Sequence, residues 1–160
     1  MKTLRDVTLV FLIKRSSSGQ ISDICLAMKK RGFGMGRWNG VGGKVASNET
    51  IEEAARRETQ EEIGVTPQDL QKVAEMDFYF EPNPDWNQLM HVYLAEHWEG
   101  EVAESEEMRP QWYSVVEIPF AQMWPDDQFW LPDILKGNMV KASFTFGDGD
   151  AILKHEVAVI

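Results

Sequence analysis

The sequence holds a single cysteine, Cys25, so no disulfide can close within the chain. Such a chain fits a reducing, cytoplasmic compartment, with Cys25 as a buried structural thiol. Histidine is scarce too: His91, His97 and His155 are scattered without ligand spacing and carry no assigned role. No apolar stretch is long enough to span a membrane, which argues against a membrane partner. The apolar run at residues 7–13 starts after Asp6 and ends at Lys14 and Arg15, with no small-residue cleavage site. It reads as a β-strand and not as a signal peptide. Basic charge is in deficit: 16 Lys and Arg against 26 Asp and Glu leave a net charge of -10. That balance argues against a nucleic-acid polymer as partner. Repeats, low-complexity blocks and linkers are absent, so residues 1–160 read as one domain, expected to act as a monomer.

What is present suits a folded globule, with 43% hydrophobic and 11% aromatic residues. The most informative stretch is 43–65, where a glycine-bearing loop leads into a helix that carries a glutamate cluster. Thr50 followed by Glu53 is a capping box and starts the helix. Gly64 stands where a glycine C-cap belongs. On a wheel of ~100° per residue, Glu58, Glu61 and Glu62 share a side with Ile51, Ala54 and Ala55, while Glu53, Arg56 and Gln60 fall opposite. A solvated acidic face is the ordinary reading of such a helix. Here the apolar neighbours turn the glutamates inward or into a cleft, where clustered carboxylates repel unless a cation neutralises them. Hard oxygen donors suit Mg²⁺, with Mn²⁺ as a substitute, better than zinc. Arg57, four residues before Glu61, can hold one carboxylate in place.

Around that helix the pattern predicts strands at 7–13 and 24–28 joined by a turn at 16–19, then a glycine-rich loop at 31–43. Further strands are expected at 73–80, 90–97 and 112–116. A helix is expected at 126–136, distorted by Pro132. A hairpin joins 142–146 to 151–157 about Gly147, Asp148, Gly149 and Asp150. Strands on both sides of one strong helix give a mixed sheet covered by helices, an α/β or α+β arrangement. Between residues 24 and 48 stand five basic residues, Lys29, Lys30, Arg31, Arg37 and Lys44, and no acidic one. Beside the glutamates, this reads as a place where a polyanion is held by lysine on one side and by metal on the other.

Gly43, Glu49, Arg57-Glu58, Glu61-Glu62 and Gly64-Val65 fill every fixed position of G-x5-E-x7-R-E-U-x-E-E-x-G-U, where U is bulky and apolar. That pattern resembles the Nudix hydrolase signature. Thr59 stands where an apolar residue is expected, and looser packing is anticipated there. The resemblance extends to Met28-Lys29-Lys30-Arg31-Gly32-Phe33-Gly34, Gly36-Arg37-Trp38-Asn39-Gly40, the 104–110 run, Ile118-Pro119-Phe120 and Met123-Trp124-Pro125-Asp126-Asp127. These blocks look like the oxidised-purine nucleoside triphosphatases of the MutT-homologue type and cover most of the chain.

The resemblance implies an α/β/α sandwich with a mixed sheet, and Mg²⁺-dependent cleavage of modified purine nucleoside triphosphates to monophosphate and pyrophosphate. It implies Glu58, Glu61 and Glu62 as metal ligands, with a backbone carbonyl from Gly42 or Gly43. Glu107 would be a further ligand or, like Glu61, the base for water. Lys29 would face the phosphates. Thr8, Phe33, Asn39, Val41, Gly42, Gly43, Lys44, Phe78, Trp124, Pro125, Asp126 and Asp127 would line the nucleoside and phosphate site. From the residues alone, Trp124 and Phe33 also fit a core, Asp126 a helix cap, Asn39 a turn and Glu107 a solvated run. The turn at 16–23 and the segment 81–88 depart from the animal enzymes and leave base preference open. Activity on another nucleoside diphosphate derivative, such as ADP-ribose or a dinucleotide, and a non-catalytic nucleotide-binding module stay as alternatives.

Overall fold

The computed structural model describes residues 4–160; residues 1–3, at the start of the stretch weighed as a leader, lie outside it. Ten strands and two α-helices follow in order: β1 (Arg5–Arg15), β2 (Ile21–Lys29), β3 (Trp38–Asn39), α1 (Ile51–Ile63), β4 (Thr66–Pro67), β5 (Gln71–Phe80), β6 (Gln88–Ala95), β7 (Trp98–Glu99), β8 (Met108–Ser114), α2 (Asp127–Leu135), β9 (Val140–Phe146) and β10 (Ile152–Val159). The main sheet runs β10-β9-β5-β6-β1-β2-β3, with β8 paired to β2. It is mixed: β1–β6 and β5–β9 are parallel, and the other pairs are antiparallel.

Alternation along β1 builds both layers of the sandwich. Leu9, Phe11 and Ile13 point into a core shared with Trp130, Leu131 and Ile134 of α2. Val10 and Leu12 point the other way, into a core shared with Ala55 and Ile63 of α1. Each such fully buried large apolar side chain contributes on the order of 1.5–3 kcal/mol. The result is the α/β/α arrangement with a mixed sheet. No described helix is long and apolar enough to cross a membrane.

The site is positioned by a split in the sheet. β1 and β2 pair only at their closed end, from Ile13↔Ile24 to Arg15↔Ile21. Beyond it β2 keeps β8 along one edge, and β3 takes the other at Ala27↔Asn39 and Met28↔Trp38. The gap beside β1 is filled by the loop after β3, through bridges Val10↔Val41 and Val7↔Lys44. The glycine-rich loop expected at 31–43 therefore contains a short strand and ends as a partner of β1.

Several expected boundaries move. The strand expected at 112–116 is β8, which begins at Met108 and ends at Ser114. Pro110 is tolerated inside it because β8 pairs only with β2, leaving its other edge free of ladder bonds. α2 runs on past Pro132 to Leu135. Thr59 is fully buried, and its hydroxyl donates to the Ala55 carbonyl at 2.7 Å, so an enclosed polar group with a partner replaces the looser packing expected there. α1 keeps its predicted ends: the Thr50–Glu53 capping box is formed, and Gly64 has the left-handed φ of 79°.

Candidate active site

A cavity of about 340 Å³ opens at the split between β1 and β2. At its acidic end the loop backbone passes so close to its neighbours that glycine is required. A Cβ on Gly42 would lie 1.8 Å from the Thr8 carbonyl oxygen, and one on Gly43 would lie 2.5 Å from the Glu58 carboxyl carbon. The loop is tied to β1 by Thr8 N–H donating to the Gly43 carbonyl at 2.9 Å. It is tied to α1 by Gly42 N–H donating to Glu62 Oε1 at 2.8 Å.

The three glutamates of α1 occupy different surroundings. Glu62 is buried, with 4% of its surface exposed. Burial pushes its carboxyl up to about 7, against the Gly42 N–H, and the Glu58 and Glu107 charges push the same way. Glu58 is half-buried and also raised, first by burial, with Glu61 and Glu107 adding to it and Arg57 opposing. Glu61 does not turn inward: its side chain is 58% exposed, because it sits at the edge of the helix face that meets the sheet. Arg57 organises this group. It grips Glu49 through two hydrogen bonds of 3.0 and 2.6 Å and reaches Glu58 at 2.9 Å and Glu61 at 3.3 Å. Its guanidinium holds the part-buried Glu49 carboxyl down at about 2.

Glu58, Glu62 and the backbone at Gly43 form a hard-oxygen set, and the desolvated carboxylates favour whatever positive charge reaches them. The cradle that a Cβ on Gly43 would fill lies against the Glu58 carboxylate. These residues fit a divalent cation. Among the described residues, no three acidic, histidine or cysteine side chains are already gathered as a ready cage. Glu107 is half-exposed on the loop before β8, with Arg31 3.7 Å away.

The basic segment divides. Lys29, Arg37 and Lys44 line the cavity. Lys30 is taken by Glu104 and the Ser105 carbonyl, and Arg31 by Glu106 and Glu107.

At the other end the cavity is walled by aromatics. Phe33 lies 5.1 Å from Trp124 and 5.8 Å from Phe80 between ring centroids, and its other neighbour is Trp86 at 5.0 Å. Arg37 lies over the Trp124 ring, 4.1 Å from its centroid, a contact worth about 0.5–1 kcal/mol or more when desolvated. Asp126 and Asp127 are buried together here. Asp126 does not cap α2: its Oδ2 accepts the Trp130 indole N–H at 2.8 Å. Burial raises Asp126, and raises Asp127 further because Asp126 stands beside it. Among the described residues, Asp127 Oδ2 has no hydrogen-bond partner. Burial and the closeness of the two carboxyls disfavour double ionisation of the pair.

Of the residues singled out in the sequence, Thr8, Lys29, Phe33, Asn39, Gly42, Gly43, Lys44, Phe78, Trp124, Asp126 and Asp127 line this cavity. Val41 is core, bridged to Val10. Pro125 is half-buried, and its carbonyl accepts from Gln128. Asn39 is in the cavity wall, and its Oδ1 also accepts the Gly40 N–H at 2.8 Å. Arg37 was named from sequence only as part of the basic segment, and Phe80, Trp86 and Phe146 were not assigned to the site. Phe80 and Phe146 share the period-two pattern of Phe78 and Phe144 and could have been found that way. Trp86 sits in an irregular segment held by Asn87, whose Oδ1 accepts the Phe80 N–H at 2.7 Å.

Comparison with known proteins adds three findings. The family model described as NUDIX domain matches residues 3–134. An oxidized purine nucleoside triphosphate hydrolase of Mus musculus is 45% identical over 157 residues, covering 98% of this chain and 96% of that protein, and its Danio rerio counterpart is 44% identical over the same length. A MutT protein structure from Bacillus halodurans superposes with a TM-score of 0.81 over 96% of this chain and 97% of its own, at 22% identity, which speaks to the fold alone.

Proposed function

The chain belongs to the Nudix family, and from that premise we propose that it hydrolyses oxidised purine nucleoside triphosphates, of the 8-oxo-dGTP and 2-oxo-dATP type, to monophosphate and pyrophosphate. The observation that carries this reading is the cavity itself, with a buried carboxyl pair under aromatic walls at one end and desolvated glutamates beside a lysine at the other. Both ends fit one nucleotide. Removal of damaged purines from the nucleotide pool is the cellular role that follows.

The base is placed against Trp124, with Asp126 and Asp127 along its edge. A protonated acid donates where a carboxylate accepts, so the pair matches more than one pattern of oxo and amino groups on a purine. Asn39 adds a donor and an acceptor. The phosphates lie towards Lys29 and Lys44, where positive charge offsets theirs. Glu58 and Glu62, with Glu61 swinging in from the rim and a carbonyl of Gly42 or Gly43, would hold Mg²⁺ or Mn²⁺. What the ion supplies when held there is charge neutralisation at the phosphates and a more acidic water. Glu107 or Glu61 would be the carboxylate that takes a proton from the attacking water.

The test combines substrate choice with ligand removal. A panel of oxidised, methylated and ordinary nucleotides, read by pyrophosphate release with Mg²⁺, should show oxidised purines preferred over pyrimidines. Glu58→Gln and Glu62→Gln keep size and remove charge, so both variants should fold by circular dichroism while turnover drops at least ~100-fold. Stepwise orthophosphate release in ³¹P NMR, or near-normal rates in both folded variants, would overturn the reading.

A further inference from the structure

We propose that Asp150 is a positioning residue for base discrimination, holding Arg37 on the Trp124 ring at a fixed distance from the Asp126–Asp127 pair; the inference rests on the function proposed above. Two loops far apart in sequence meet at this point. Arg37 ends the 31–37 loop, in which Gly32, Gly34 and Gly36 all have positive φ. A backbone so rich in glycine does little by itself to fix a long side chain. Asp150 closes the turn between β9 and β10 and sits at φ 62°, the left-handed region that few side chains other than Asn and Asp accept. Its Oδ2 lies 3.1 Å from Arg37 Nη1. The alignment falls short of a hydrogen bond and Nη1 has no other partner among the described residues, so this contact is an ion pair in a half-buried setting. The opposite anchor is the indole, 4.1 Å from the guanidinium carbon.

The clamp has an electrostatic consequence. The Arg37 charge reaches both Asp126 and Asp127 and opposes the rise that burial imposes on them. The pair also meets two neutral donors, the indole N–H of Trp130 and the backbone N–H of Asp126. Lys29, Lys44 and Arg5 line the same cavity, and Asp150 stands behind Arg37 as its counter-charge. While Asp150 holds the guanidinium, its carboxylate partly offsets the positive charge that Arg37 presents to the pair. The pair then keeps the shared proton with which it reads a purine edge. Without Asp150, an unshared Arg37 draws the pair towards its doubly ionised form and loosens one face of Trp124.

Asp150→Asn and Arg37→Met separate this role from a merely structural one. Asparagine accepts the left-handed backbone, so the turn is retained, and methionine keeps length and apolar contact with the indole. Aspartate ¹³C-carboxyl NMR of the substrate-free protein follows the pair directly. The midpoint should fall by at least about half a pH unit in Asp150→Asn and rise by a similar amount in Arg37→Met. The ratio of kcat/KM for 8-oxo-dGTP to that for 2-oxo-dATP should then move in opposite directions in the two variants, by roughly threefold or more when the midpoint moves that far. In Asp150→Asn the change should be carried by KM, with kcat within a factor of about three because the phosphate end is untouched. A general loosening of the fold would move both variants the same way. Midpoints that move together or stay fixed, or opposite movements with an unchanged substrate ratio, would overturn the proposal. Opposite NMR midpoints in a protein that cleaves no oxidised purine triphosphate would retain the clamp and reject the function instead.

Discussion

A methyl group added to Gly42 or to Gly43 meets different neighbours, and the two alanine variants are expected to fail in different ways. On Gly42 it would strike the Thr8 carbonyl oxygen at 1.8 Å. Both partners there are backbone, in a loop that bridges β1, so only displacement of the loop or strand relieves the overlap. On Gly43 it would strike the carboxylate of Glu58 at 2.5–2.7 Å, the far end of a flexible side chain that can turn away. Gly42→Ala should therefore lower the melting temperature, by roughly 5 °C or more for a cost of a few kcal/mol. Gly43→Ala should melt close to the parent and lose at least ~100-fold in turnover, because Glu58 is displaced from the cation site. A thermal melt and a pyrophosphate-release assay on the same preparations check both. Equal melting loss in the two variants, or full turnover in Gly43→Ala, would contradict the close approach of loop and glutamate.

Whether an element can be foreseen depends on how locally its cause is written. α1 was legible because both of its ends are made by bonds a few residues long. Thr50 Oγ1 accepts the Glu53 N–H at 3.1 Å, Glu53 returns a 2.9 Å bond to the Thr50 N–H, and Gly64 supplies the left-handed turn. β3, β4 and β7 were not legible. Each is two residues long and exists only because a distant strand pairs with it, as Thr66↔Glu99 and Pro67↔Trp98 do for β4 and β7. β8 was misplaced for a related reason: Pro110 breaks a strand pattern read in isolation, and only the single-sided pairing with β2 makes it harmless. The legible caps carry a graded prediction. Thr50→Ala removes one side of the box and should cost ~1 kcal/mol, about 2–4 °C in a chain of this size. Gly64→Ala should cost about 1–2 kcal/mol through backbone strain at φ 79°. A Cβ there would stand 3.4 Å from the Glu101 carbonyl oxygen, tight but short of a clash. Calorimetric melts in which neither variant lowers the melting temperature would mean that packing, not capping, sets this helix.

For the molecule as a whole, the acidic end of the cavity could be read from one continuous stretch, while the aromatic end could not. Glu58, Glu62 and Gly43 belong to a single loop-helix unit, so their meeting is decided within about twenty residues. The opposite wall needs β5 and β9 in register, with Phe78 against Phe144 and Phe80 against Phe146, and it needs the 84–86 turn to bring Trp86 to Phe33. Nothing in the local pattern fixes that register. The same division governs how the fold answers to metal. With no cation, α1 presents desolvated carboxylates towards the sheet; burial raises both Glu58 and Glu62, the Glu58 charge adds to the rise at Glu62, and Glu61 and Glu107 add to it at Glu58. A divalent ion that binds the folded form relieves this repulsion and stabilises the whole chain by mass action. At a hundred times its Kd the gain is about 2.7 kcal/mol, or roughly 5–10 °C in melting temperature at this size. Mg²⁺ added to chelator-stripped protein should produce that rise, and NaCl at matched ionic strength should not. In a Glu58→Gln, Glu62→Gln double variant the stripped protein should melt at or above the parent, since the repulsion is gone, and Mg²⁺ should add little. A melt that rises equally with Mg²⁺ in parent and double variant would place the cation elsewhere on a surface that carries net charge -10, and α1 would lose its part in the chemistry.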